Sequence, residues 1–188
     1  MKVHVLILFL SFALVFPFAY ADESLSVDTD MVHVNSEDPN ESNQIYMRHK
    51  LLNEFHEPIS VQVSNFYESP PMYNLNLNTF LNGVIKISTS YTPFQLLVKV
   101  KNIELKMGRE KSIERYENRI IDIDILCCDN EIIESRELTV PHPNIKERKF
   151  VLEPWCDIDS NYIIVNENRK VKELLAMLSD SLKLRRVS

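Results

Sequence analysis

The stretch that most constrains the fold is RIIDIDIL, residues 119–126. Ile121, Ile123 and Ile125 alternate with Asp122 and Asp124, the two-residue period of a β-strand whose faces differ in polarity. The isoleucines call for a core on one side. The aspartates share the other side, where two carboxylates on one rigid backbone can hold divalent cations, since hard ions such as magnesium take oxygen ligands. Arg109, Lys111, Arg115 and Arg119 precede this strand, and His142, Lys146 and Arg148 follow it. Cations around a paired-aspartate strand point to a polyphosphate bound with its metal ions. An Asp-x-Asp pair also occurs on plain solvated strand faces, so the neighbouring segments decide.

A chain of 188 residues is one ordinary domain with room for an appendage. The net charge of -6 excludes a general nucleic-acid binder, which needs a basic face for phosphates. Three cysteines, two of them adjacent at Cys127 and Cys128, make neither a disulfide framework nor a zinc spacing, and are expected as reduced thiols. At the N-terminus, Lys2, an apolar run over 5–15, Pro17 and Ala19-Tyr20-Ala21 have the parts of a secretory signal peptide or anchor over residues 1–21. Residues 22–30 are polar and are read as a linker, so 1–30 is expected as leader and linker and 31–188 as the working domain.

Within 31–188, extended segments are expected at 31–34, 59–67, 80–89 and 120–128. Helices are expected at 41–55, 93–107 and 170–182. Thr92 and Gln95 make a capping box around Pro93, and Leu96, Val100 and Ile103 give the apolar stripe that follows. Residues 109–118 are charged and without periodicity, as in mobile loops that close over phosphates. The order is that of a ferredoxin-like β-α-β-β-α-β unit of the α/β (α+β) class with an added C-terminal helix. The 183–186 tail is expected to fray.

Six segments then follow in order: SNFYESPPM (64–72), FLN (80–82), IELKMGR (103–109), RIIDID (119–124), LTVPHP (138–143) and RKFVLEP (148–154). Together they closely resemble the 6-hydroxymethyl-7,8-dihydropterin pyrophosphokinase family, over residues 58–182. The resemblance implies pyrophosphoryl transfer from ATP to the hydroxymethyl group of the pterin, a step of folate biosynthesis. It assigns Ser69, Pro70, Pro71, Met72, Phe80, Asn82, Asp122 and Phe150 to the pterin. To ATP it assigns Glu104, Lys111, Arg115, Arg119, Ile125, Thr139, His142 and Arg148. Arg109, Arg119, Asp122 and Asp124 become the catalytic set, with two magnesium ions on Asp122 and Asp124. From its position alone, Glu104 would be a solvated helix residue.

This sequence departs from the family pattern in two places. Its Gly-Ser-Asn motif falls at Asn35-Ser36-Glu37, where only the serine is kept. The Gly-Pro before Arg119 is replaced by Glu117-Asn118, and a tryptophan by Tyr116. The partners implied are small molecules and not nucleic acid, for a monomer active in the cytoplasm, with membrane contact only if residues 1–21 form an anchor. The leader and the altered motifs also suit a second reading, an exported or anchored descendant that binds pterin or nucleotide without catalysis.

Overall fold

The computed structural model describes residues 4–13, 60–70, 79–106, 121–179 and 182–187. Among these residues ten strands are formed: β1 (His4–Ala13), β2 (Ser60–Val63), β3 (Tyr67–Ser69), β4 (Phe80–Thr89), β5 (Ile121–Cys128), β6 (Ile133–Glu134), β7 (Thr139–Val140), β8 (Ile163–Ile164), β9 (Arg169–Lys170) and β10 (Arg185–Arg186). The helices are α1 (Pro93–Lys106), α2 (Lys149–Asp159) and α3 (Val171–Met177). The main sheet runs β10-β3-β4-β1-β5, with β2 beside β4, and every pairing is antiparallel. The two small ribbons are β6-β7 and β8-β9.

Alternation along the strands sends side chains to two cores. On one face, Ile85, Ile87, Ile121, Ile123 and Ile125 pack against Leu96, Val100 and Ile103 of α1. On the other, Val84, Leu126 and Cys127 pack against Val151, Leu152 and Trp155 of α2 and Val171 and Leu174 of α3. Burying an aliphatic side chain of this size contributes about 1.5–3 kcal/mol. The mixed α/β architecture expected from the sequence is therefore present. The expected strand at 31–34 and helix at 41–55 lie outside the described residues.

Several elements differ from expectation. Residues 4–13 fall in the stretch read as a leader, yet they form β1, paired with β4 on one side and β5 on the other. A nearly continuous apolar run suits a central strand as well as an export signal, and periodicity alone does not separate the two. The strand expected at 59–67 is split into β2 and β3. Between Val63↔Ile85 and Tyr67↔Asn82 the outer chain advances four residues against three on β4, and Ser64 fills the break. Its backbone N–H donates to the Val84 carbonyl at 2.9 Å, and its hydroxyl accepts the Val84 N–H at 2.9 Å.

The sequence pattern missed α2 because Pro154 stands inside it, a residue that normally ends a helix. Helix α3 ends at Met177 rather than 182, since Leu178 turns extended and the chain leaves toward β10. The tail expected to fray is tied down: Arg185 donates to both Glu68 carboxylate oxygens, at 2.6 and 3.0 Å, and Arg186 donates to Asn65 Oδ1 at 3.0 Å. Among the described residues, no helix is long and apolar enough to cross a membrane.

Candidate active site

Asp122 and Asp124 are both half-buried and sit between buried Ile121, Ile123 and Ile125, as the alternation requires. Among the described residues β5 is the sheet's last strand, so its outer edge takes partners other than a strand there. Helix α1 supplies them at Ile123. Glu104 accepts the Ile123 N–H at 2.7 Å, and Lys101 Nζ donates to the Ile123 carbonyl at 3.2 Å and to Glu104 at 3.0 Å. Glu104 is 2% exposed. It is thus not the solvated residue expected from its helix position, and its carboxylate holds the strand between the two aspartates.

Further along, a bulge breaks the ladder: Leu8 pairs with Ile125 and Ile7 with Cys127, leaving Leu126 as the extra residue. The carbonyl of Leu126 accepts the His142 N–H at 2.8 Å, which brings the TVPHP segment against the aspartate strand. His142 Nδ1 accepts the Asn144 N–H at 3.2 Å, so Nε2 faces Asp124, at 4.0 Å from its carboxylate. Burial holds the His142 pKa below its ordinary value. The Asp124 and Asp122 carboxylates pull the other way, and the Arg148 guanidinium adds to the lowering. Arg148 Nη1 is 3.8 Å from the same Asp124 oxygen, and its guanidinium lies over the Phe150 ring at 5.9 Å. Arg148 directly precedes α2 and Phe150 lies in its first turn, so the unforeseen helix fixes both.

Beside these groups opens a cleft of about 270 Å3, lined by Leu97, Lys101, Ile123, Asp124, Ile125, Glu137, Leu138, Thr139, His142 and Pro143. Ile125, Thr139 and His142, which the family resemblance assigns to ATP, share this cleft. Lys101 and Leu97 were not foreseen; their signal was their spacing from Glu104 on α1.

Across the sheet, Asn82 is 1% exposed and its Nδ2 donates to Ser69 Oγ at 2.9 Å and to the Tyr67 and Phe80 carbonyls at 3.3 Å each. Ser69 is buried, Phe80 half-buried and Pro70 exposed. Asn82 is followed by Gly83, where a Cβ would stand 2.8 Å from the buried Phe66 ring, so only glycine lets this ring lie against β4. Pro71, Met72, Arg109, Lys111, Arg115 and Arg119 lie outside the described residues.

Among the described residues, no group of three or more His, Cys, Asp or Glu side chains could hold a metal ion. Two carboxylates on one face still fit magnesium, which commonly takes one or two protein carboxylates and completes its shell with water and substrate phosphate.

Residues 32–160 match the family model for 7,8-dihydro-6-hydroxymethylpterin-pyrophosphokinase. The chain belongs to this pyrophosphokinase family. It is 32% identical over 137 residues to the 2-amino-4-hydroxy-6-hydroxymethyldihydropteridine pyrophosphokinase of Haemophilus influenzae, covering 73% of this chain and 84% of that one. The enzyme of the same name from Aquifex aeolicus is 35% identical over 125 residues, covering 66% of this chain and 78% of the relative. The folic acid synthesis protein of Pneumocystis carinii is 36% identical over 150 residues, but this chain spans only 20% of its length. Among solved structures, an HPPK-DHPS in complex with substrates aligns with a TM-score of 0.60 at 13% identity, over 94% of this chain and 43% of that one. An HPPK-DHPS of Plasmodium falciparum also gives 0.60, at 16% identity, over 93% and 45%. At these identities the structures show a shared fold. The pyrophosphokinase family has the same mixed sheet-and-helix architecture, and the chain spans less than half of each solved protein.

Proposed function

We propose that this chain transfers the pyrophosphoryl group of ATP to 6-hydroxymethyl-7,8-dihydropterin, giving the pterin diphosphate and AMP in folate biosynthesis. The observation that carries this reading is the convergence of His142 and Arg148 on Asp124, beside a cleft walled by α1 and the TVPHP segment. The hydroxymethyl oxygen attacks the β-phosphorus and loses its proton; the bond from that phosphorus to the α–β bridging oxygen breaks, and AMP leaves. No protein nucleophile is required, so catalysis consists of positioning and charge stabilisation.

Asn82, anchored through Nδ2, presents its Oδ1 to the edge of the pterin, while Phe80 and Phe150 offer aromatic faces to the ring. Thr139 and Ile125 line the nucleotide side. His142 and Arg148 hold phosphate oxygens, with Arg119 from the segment ahead of β5. Arg109, Lys111 and Arg115 close over the triphosphate and exclude water. Asp122 and Asp124 would hold two magnesium ions, which when bound offset the charge on the attacking and leaving oxygens. The reading extends to a monomer acting where ATP is supplied, in the cytoplasm, with β1 counted in the catalytic unit together with residues from 31 onward.

Phosphorus NMR of full-length protein with ATP, magnesium and the pterin alcohol tests the reaction type. AMP and a diphosphate ester should appear together. Formation of ADP instead would rule out pyrophosphoryl transfer.

A further inference from the structure

One residue of β1 stands in a place that the sequence reading gave to the leader. Ser11 is the register partner of Asn82 on β4 and of Asp122 on β5. Directly opposed residues of antiparallel strands send their side chains to the same face, with Cβ atoms about 4.5–5.5 Å apart. Asn82, Ser11 and Asp122 therefore form one row across three adjacent strands. The next row along β1 pairs Phe12 with Leu81 and Ile121, both of which belong to the opposite core. The Ser11 row thus faces the site and the next row faces the core under α1. Ser11 is half-buried, in a strand otherwise apolar from Val5 to Ala13. A hydroxyl at such a position needs a hydrogen-bond partner.

We infer that Ser11 is an acceptor-binding residue, its hydroxyl bonding the pterin alcohol between the edge met by Asn82 and the end that faces Asp122. The inference rests on the pyrophosphokinase reading of the same site. It also gives β1 two roles, since among the described residues β5 is joined to the sheet through β1 alone. The strand holds Asp122 in line with Asn82 and places a substrate ligand between them.

The test is calorimetric titration of the pterin alcohol into full-length wild type, Ser11→Ala and Ser11→Thr, with the Michaelis constants of both substrates measured in parallel. Loss of one hydrogen bond should weaken pterin binding about three- to tenfold in Ser11→Ala. The ATP constant and the melting temperature should stay as in wild type. Ser11→Thr keeps the hydroxyl and should recover most of the affinity. Unchanged affinity in Ser11→Ala, or equal weakening toward ATP and pterin, would each overturn the inference. Wild type that binds the pterin but releases no AMP would sink the catalytic reading alone, because the Ser11 comparison still reads out in binding. Wild type that binds no pterin would sink both.

Discussion

Glu104 accepts the backbone N–H of Ile123 at 2.7 Å, so a helix side chain completes the strand that carries both aspartates. Lys101 secures the carbonyl of the same residue. Together they do for β5 what a further strand would have done. Glu104→Ala strands a buried N–H and should destabilise the protein by about 1–3 kcal/mol. Glu104→Gln keeps an acceptor and should lose less. Urea denaturation of the two variants decides this, and an alanine variant as stable as wild type would refute the role.

Arg148 lies 3.8 Å from Asp124 and above the Phe150 ring, and the proposed function has it hold a phosphate of the nucleotide. Hydrogen bonds to charged groups contribute about 1.5–3 kcal/mol, so Arg148→Ala should raise the ATP Michaelis constant roughly ten- to a hundredfold. Lysine restores the charge but not the planar fork, and should recover only part of the loss. An effect on the pterin constant alone would place Arg148 on the other substrate.

Gly83→Ala brings a methyl to 2.8 Å from the Phe66 ring, which has no exposed surface to move into. Overpacking of this kind costs about 1–3 kcal/mol. The melting temperature should fall accordingly, and a variant that melts with wild type would show that the ring has room.

Burial pushes the Cys127 thiol from 9.0 up to about 12, with Cys128 adding to the rise and the Tyr162 hydrogen bond opposing it. Burial also moves Tyr67 from 10.0 up to about 12, helped by the Asp157 carboxylate that accepts a hydrogen bond from its hydroxyl. Both groups are neutral in the fold and ionise more readily once unfolded. Their stabilisation is therefore complete below about pH 9 and is lost as the pH rises toward 12. Urea midpoints should be level from pH 7 to 8.5 and fall steadily above pH 9.5. A midpoint constant up to pH 11 would contradict the burial of these groups.

How much of this was legible beforehand depended on where the determining contacts lay. The bounds of β4, the end of β5 and the capping box of α1 follow from short-range alternation and spacing, and each stands where expected, with Thr92 and Gln95 bonded reciprocally at 2.9 and 3.3 Å. Pro154 hid α2, because a proline rule weighs more in a pattern than the packing of Trp155 and Leu152 that overrides it. The split at Ser64 and the pinning of Arg185 to Glu68 depend on partners 20 and 117 residues away, beyond any local signal. A separation of 19 residues likewise concealed Glu104 as the partner of Ile123. The apolar run at the N-terminus was ambiguous by its nature, since export signals and central strands share a composition. Asp124, His142 and Arg148 could be listed from their motifs; what brings them together is the Leu126 bulge and α2.

The most direct measurement is AMP formation by full-length protein with ATP, magnesium and 6-hydroxymethyl-7,8-dihydropterin, alongside Asp122→Ala and Asp124→Ala. Wild type should release AMP only when the pterin is present. Both variants should stay folded and lose at least about a hundredfold in turnover, as removal of a principal charge-stabilising group does elsewhere. Pterin-independent AMP release, or wild-type turnover in either aspartate variant, would contradict the assignment of this strand as the catalytic centre.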